Sequence, residues 1–128
     1  MRPVLLVLAF LAGDVELPKL SSPPLPSELQ TLRARRLDLA AKSYADELAR
    51  LKAGTGTVEA TFVWSKRWAE AERDSGDAKS AVTRELDRAK LIEGLARERV
   101  ATGTLPAGAA NEALWWRSEA ELAAAVSK

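Results

Sequence analysis

The sequence predicts an all-α fold of antiparallel helical hairpins, and three observations carry that prediction. The 128 residues are rich in Ala, Leu, Glu, Arg and Lys and poor in aromatics, the composition of helical bundles. Apolar residues recur at alternating steps of three and four, the spacing of a helix face that packs on another helix. The chain also nearly repeats itself. Residues 37–72 laid without a gap over residues 86–121 match at ten positions: Leu37, Asp38, Ala40, Arg50, Gly54, Thr55, Ala60, Glu70, Ala71 and Glu72. Each copy reads as helix, glycine-threonine turn, helix.

Residues 1–13 have the pattern of a secretory leader. Arg2 supplies one positive charge, and residues 4–12 are an unbroken apolar run. Nine residues are too few to span a bilayer, which needs about 20, but they suit the apolar core of a signal peptide. Leu11, Ala12 and Gly13 end the run as a cleavage site would. Residues 14–27 contain four prolines and no periodic apolar face, so an extended linker is expected there. Residues 28–128 then form the helical-hairpin domain.

The first helix is expected over residues 28–53, capped by Ser27, with Ala34, Leu37, Ala41, Tyr44, Leu48 and Leu51 as its seam. Gly54 ends it, and Thr57 can cap the next helix, whose first turn carries Glu59. A helical pattern then extends over residues 58–101. Its apolar stripe weakens at residues 73–77 and recovers at Val82, Leu86, Ala89, Ile92, Ala96 and Val100. One glycine inside a helix costs only about 1 kcal/mol relative to alanine, so Gly76 does not by itself demand a break. The 49-residue offset equals seven heptads, which favours one long central helix with two shorter helices packed along it. The alternative is a four-helix bundle with a turn at 75–77. After Gly103, Pro106 belongs in the first turn of a last helix with the seam Ala109, Ala113, Trp116, Ala120 and Ala123.

Around Arg50, Ala53, Gly54, Thr55, Thr57 and Glu59, continuing to Glu70, Ala71 and Glu72, the pattern resembles the hairpin repeat of TolC-like outer-membrane efflux proteins. Residues 102–104 leading to Arg117, Glu119 and Glu121 resemble a second copy. The resemblance implies stacked hairpins and an envelope location. Members of that family are several times longer and add the strands of a membrane barrel, so no channel activity and no functional residue is carried over.

The chain has no Cys and no His, which removes disulfides, thiolate nucleophiles, zinc sites of the usual ligands and the commonest general base. No catalytic residue, metal ligand or cofactor is expected. The 19 Lys and Arg balance 18 Asp and Glu, so nothing draws the chain to nucleic acid. The Arg33, Arg35 and Arg36 cluster is followed closely by Asp38, Asp46 and Glu47 and reads as a solvated face. Glu70, Glu72 and Asp74 step by two and do not converge on one helix face; Glu119 and Glu121 repeat that spacing.

The candidate partner-binding residues are Trp64, Trp68, Trp115 and Trp116. Trp64 and Trp68 share a face, whereas the adjacent Trp115 and Trp116 point in different directions, leaving at least one partly exposed. The expected function is a non-enzymatic, exported scaffold or interaction protein of the bacterial envelope, without a membrane span once the leader is removed. It would bind a protein partner or a second copy through helix faces. The alternative is a periplasmic cation-binding or chaperone-like helical protein.

Overall fold

The structure is a computed structural model and describes residues 23 and 25–127. The leader expected at 1–13 and most of the expected linker lie outside the described residues. The chain divides into two compact units, Met1–Gln30 and Thr31–Lys128. Among the described residues there are four helices: α1 Pro26–Ala53, α2 Val58–Asp74, α3 Ala78–Ala101 and α4 Gly108–Val126. The all-α fold is as predicted.

The first helix starts slightly ahead of its expected position. Pro26 occupies its first residue, where a missing N–H is harmless, and the Leu25 N–H donates to Glu28 Oε1 at 2.8 Å. Ser27 is therefore inside the helix rather than its cap, and the linker does not extend to residue 27.

Three glycines end helices in the same way. Gly54, Gly76 and Gly103 take φ of 83°, 94° and 81°. Their N–H groups donate to the carbonyls of Leu51, Arg73 and Val100 at 3.1, 3.0 and 3.1 Å. The N–H of the following residue reaches the carbonyl one position further back: Thr55 to Arg50, Asp77 to Glu72 and Thr104 to Arg99, at 2.9, 3.1 and 2.9 Å. These paired bonds are the Schellman ending, which satisfies carbonyls that a helix end would otherwise leave bare. Thr57 then caps α2 by accepting from the Ala60 N–H at 3.1 Å, as expected. Pro106 stands just ahead of α4 rather than within its first turn, and its carbonyl accepts from the Ala109 N–H at 2.9 Å.

The long central helix over 58–101 is not formed. The chain turns at residues 75–77, the position of the alternative arrangement. Counting only the cost of glycine in a helix misses what the broken form gains. Gly76 adopts the left-handed conformation without strain. The Ser75 N–H and hydroxyl both donate to the Ala71 carbonyl, at 3.1 and 3.0 Å. Asp77 accepts from Arg84 Nη2 at 2.7 Å, tying the turn to α3. The reversal also lets α2 bury a face on α3.

Successive helices run antiparallel within the second unit. Tyr44 of α1 meets Trp68 of α2 at 5.5 Å between ring centroids, and Arg36 is paired with Asp74. Arg88 of α3 reaches Ser65 of α2, and Arg117 of α4 reaches Glu93 of α3. Helices α2 and α4 consequently run parallel, and Phe62 stacks on Trp116 at 5.5 Å. The first and third turns share one end, with the Thr104 methyl 4.0 Å from where a Cβ on Gly54 would lie. The core is built from Tyr44, Leu51, Val58, Phe62, Ile92 and the alanines 89, 96, 109, 113 and 120. The α3 and α4 seams are buried or half-buried throughout, while on α1 Ala34 is exposed.

Nothing lies within 4 Å of a Cβ built on Gly76, so Gly76→Ala carries only the backbone penalty of the left-handed conformation. It is expected to lower stability by about 1–2 kcal/mol in urea unfolding, with Gly76→Asn losing less. An unchanged midpoint in the alanine variant would show that this ending does not hold the turn.

Candidate functional site

The four tryptophans separate into three supports and one free ring. Trp64, Trp68 and Trp116 are half-buried against the core. Trp115 is 57% exposed. Neighbouring helical residues differ in direction by about 100°, so Trp116 turns inward onto Phe62 while Trp115 stays outside. The two rings meet edge to face at 5.1 Å, which braces the exposed one. The four tryptophans therefore do not converge on a single site.

Beneath Trp68 lies a buried cation. Arg88 is 8% exposed. Its Nε donates to Ser65 Oγ at 2.8 Å and its Nη2 to the Ser65 carbonyl at 2.9 Å. The guanidinium carbon sits 4.3 Å over the Trp68 ring and 5.6 Å from the Tyr44 ring. Burial lowers the Arg88 pKa from its usual value, opposed by Glu72, Tyr44 and Glu85. Burial likewise pushes the Tyr44 phenol up against the pull of Arg88. The Tyr44 hydroxyl and Glu72 Oε1 have no hydrogen-bond partner among the described residues. The arrangement works as an internal brace between α1, α2 and α3.

Two carboxylates fasten the hairpins. Glu93 accepts from Arg117 Nη1 at 2.6 Å and from Arg97 Nη1 at 3.2 Å. Glu72 accepts from Arg84 Nε at 2.7 Å. Three of the five carboxylates singled out in the sequence are used singly: Glu72 with Arg84, Asp74 with Arg36, Glu121 with Arg117. Among the described residues no group of three or more acidic side chains is arranged to hold a metal.

The surface offers two apolar features. Along α4, Trp115, Leu122 and Val126 form a stripe, 57%, 60% and 75% exposed, beside a half-exposed Leu114. Glu112, Glu119 and Glu121 are exposed on the same helix. Between α1 and α2 runs a groove of about 460 Å³ with Leu32, Leu39, Ala40 and Trp64 as its apolar lining. Arg35, Arg36, Arg67 and Glu70 edge it, and the Arg67 guanidinium lies 4.5 Å over the Trp64 ring. Two arginines of the sequence cluster thus border a groove, while Arg33 does not line it. No helix among the described residues is long and apolar enough to cross a membrane.

No family model, no curated protein and no solved structure matches this chain.

Ser65, Arg88 and Glu93 were not picked out from the sequence. Their signal was a polar residue falling on an apolar seam: Ser65 lies between Phe62 and Ala69 on the buried face of α2, and Arg88 precedes Ala89 on that of α3.

A second groove, about 430 Å³, is lined by Phe62, Ser65 and Trp116 together with Glu85, Lys66 and Arg73. Burial raises the Glu85 pKa above its ordinary value, and Arg73, Lys66 and Arg88 only partly offset it. A carboxyl whose folded pKa is raised favours the fold while protonated, and that contribution fades as pH rises through the carboxylate range. Glu85→Gln is therefore expected to match the parent at about pH 3.5 and to exceed it in urea midpoint at about pH 7. A lower midpoint at neutral pH would mean that the Arg73 pair outweighs the burial cost.

Proposed function

We propose that this chain is a non-enzymatic docking protein of the bacterial cell envelope, exported through the leader at residues 1–13. The reading rests on one observation above the others: Trp115 is exposed, oriented by Trp116 and continued along α4 by Leu122 and Val126. A tryptophan already held in place loses little conformational freedom on binding, so its burial converts efficiently into affinity. The inventory without Cys or His and the dispersed carboxylates favour binding over catalysis. The apolar leader and the TolC-like hairpin pattern favour the envelope over the cytoplasm.

In this reading the buried brace at Arg88 and the glycine-ended turns keep the helices in register, and α4 presents the contact surface. Trp115→Ala is expected to keep the parent's urea midpoint while binding its envelope partner roughly 30-fold more weakly, the loss of a hot-spot residue. The readout is the tryptophan fluorescence response on mixing with envelope extract. An equal response from Trp115→Ala would overturn the role of α4. Mass spectrometry of the protein from fractionated cells should find a mature chain beginning near Asp14; an intact Met1 in the cytosolic fraction would overturn export.

A further inference from the structure

We propose that the docking partner of α4 is a second copy of this chain, the α4 stripe of one copy seating in the α1–α2 groove of the next. The proposal rests on the reading of α4 as a docking face and adds the identity of what it meets.

Charge complementarity carries it. The groove is edged by Arg35, Arg36 and Arg67 against Glu70; Arg36 is already paired with Asp74, so Arg35 and Arg67 set the positive balance. The exposed acidic residues of α4 are Glu112, Glu119 and Glu121, and its one basic residue, Arg117, is already held by Glu93 at 2.6 Å and Glu121 at 3.3 Å. One molecule thus carries both a groove with a net positive edge and a helix with a net negative outer face. The spacing agrees as well. Leu32 and Leu39 in the groove are seven residues apart, and so are Trp115 and Leu122 on α4. On helices that separation is two turns, about 10.5 Å, so both apolar pairs can engage in one register. The chain as a whole carries a formal charge of only +1, so copies meet little general repulsion.

The two surfaces cannot satisfy each other within one copy. On α2, Phe62 faces Trp116 of α4, whereas Trp64 lines the groove. Two residues along a helix turn the direction by about 200°, so α2 stands between α4 and the groove. Each copy keeps one free stripe and one free groove, and a head-to-tail contact of this kind extends into a chain or closes as a ring.

The test is sedimentation of the purified full chain over a range of concentrations. The average mass is expected to rise beyond that of a dimer, and to fall when salt is raised from about 0.05 to about 0.5 M, since exposed charges are then screened. Trp115→Ala disables the stripe and Arg67→Glu the groove, so each variant alone should associate at least about 10-fold more weakly. Mixed, they retain one good stripe and one good groove between them, and should form a one-to-one complex that grows no further. A mixture that stays monomeric overturns the contact. Association abolished by Trp115→Ala but untouched by Arg67→Glu would show α4 meeting α4 and likewise overturn it. A parent chain that remains monomeric throughout, while Trp115 is still required for the response to envelope extract, overturns the second copy as partner and leaves the docking role of α4 standing.

Discussion

Backbone carbonyls at the ends of helices need donors, and in this chain a left-handed glycine supplies them three times over. The two N–H groups around each of Gly54, Gly76 and Gly103 bond back into the last turn. The helix therefore stops at a defined residue and the chain leaves in a defined direction. The antiparallel course of each successive pair follows, as does the parallel course of α2 and α4 that lets Phe62 stack on Trp116. A helix that overran its glycine by one turn would shift every later seam residue by about 5.4 Å along its neighbour. The contacts of Arg88 with Ser65 and of Arg117 with Glu93 would then be out of reach.

An alanine-lined interior brings helices close but leaves little apolar area per residue, so the register between them needs other guides. Arg88 is one. An arginine can be held inside here because its guanidinium lies over Trp68, donates twice to Ser65 and has Glu72 and Glu85 close enough to oppose the loss of hydration. The contact pairs one residue of α3 with one of α2 and cannot be made in a shifted alignment. Leu51 and Ile92, among the largest fully buried side chains, supply apolar burial without that selectivity. Glu93 plays the matching part between α3 and α4, gripping Arg117 across the hairpin.

Helix existence, three of the four seams in detail, and the first and third turns were legible because each rests on local chemistry: periodic apolar residues, a glycine after a basic last turn, a threonine cap. The internal near-repeat is explained by the same chemistry. Arg50 with Arg99, Gly54 with Gly103 and Thr55 with Thr104 occupy corresponding places in two identical helix endings. The middle turn uses the same bonds, yet Asp77 stands where the other turns have Thr55 and Thr104 after their glycines, so the repeat did not reveal it. Its stability depends on α2 packing against α3 and on Arg84 reaching back to both Asp77 and Glu72, contacts that exist only once the two helices lie side by side. The brace at Arg88 was illegible for a related reason. A charged residue on an apolar seam looks like an interruption until the residue opposite it is known to be a serine beside a tryptophan.

Adjacent residues that diverge by about 100° give this fold its outward character. Trp116 completes the interior and Trp115, next to it, is left facing water; on α1, Ala40 is buried while Leu39 beside it is exposed. Neither exposure is forced by a shortage of polar residues, since both helices carry charge elsewhere on their outer faces. Interior packing alone would be served equally well by a lysine or glutamate at either position. An apolar side chain kept at the surface of both α1 and α4, with positive charge bordering one and negative charge the other, is therefore a property of the surfaces and not a by-product of the core. Because α2 separates them, they remain available together, and the molecule has two distinct ends to its chemistry rather than one self-complementary face.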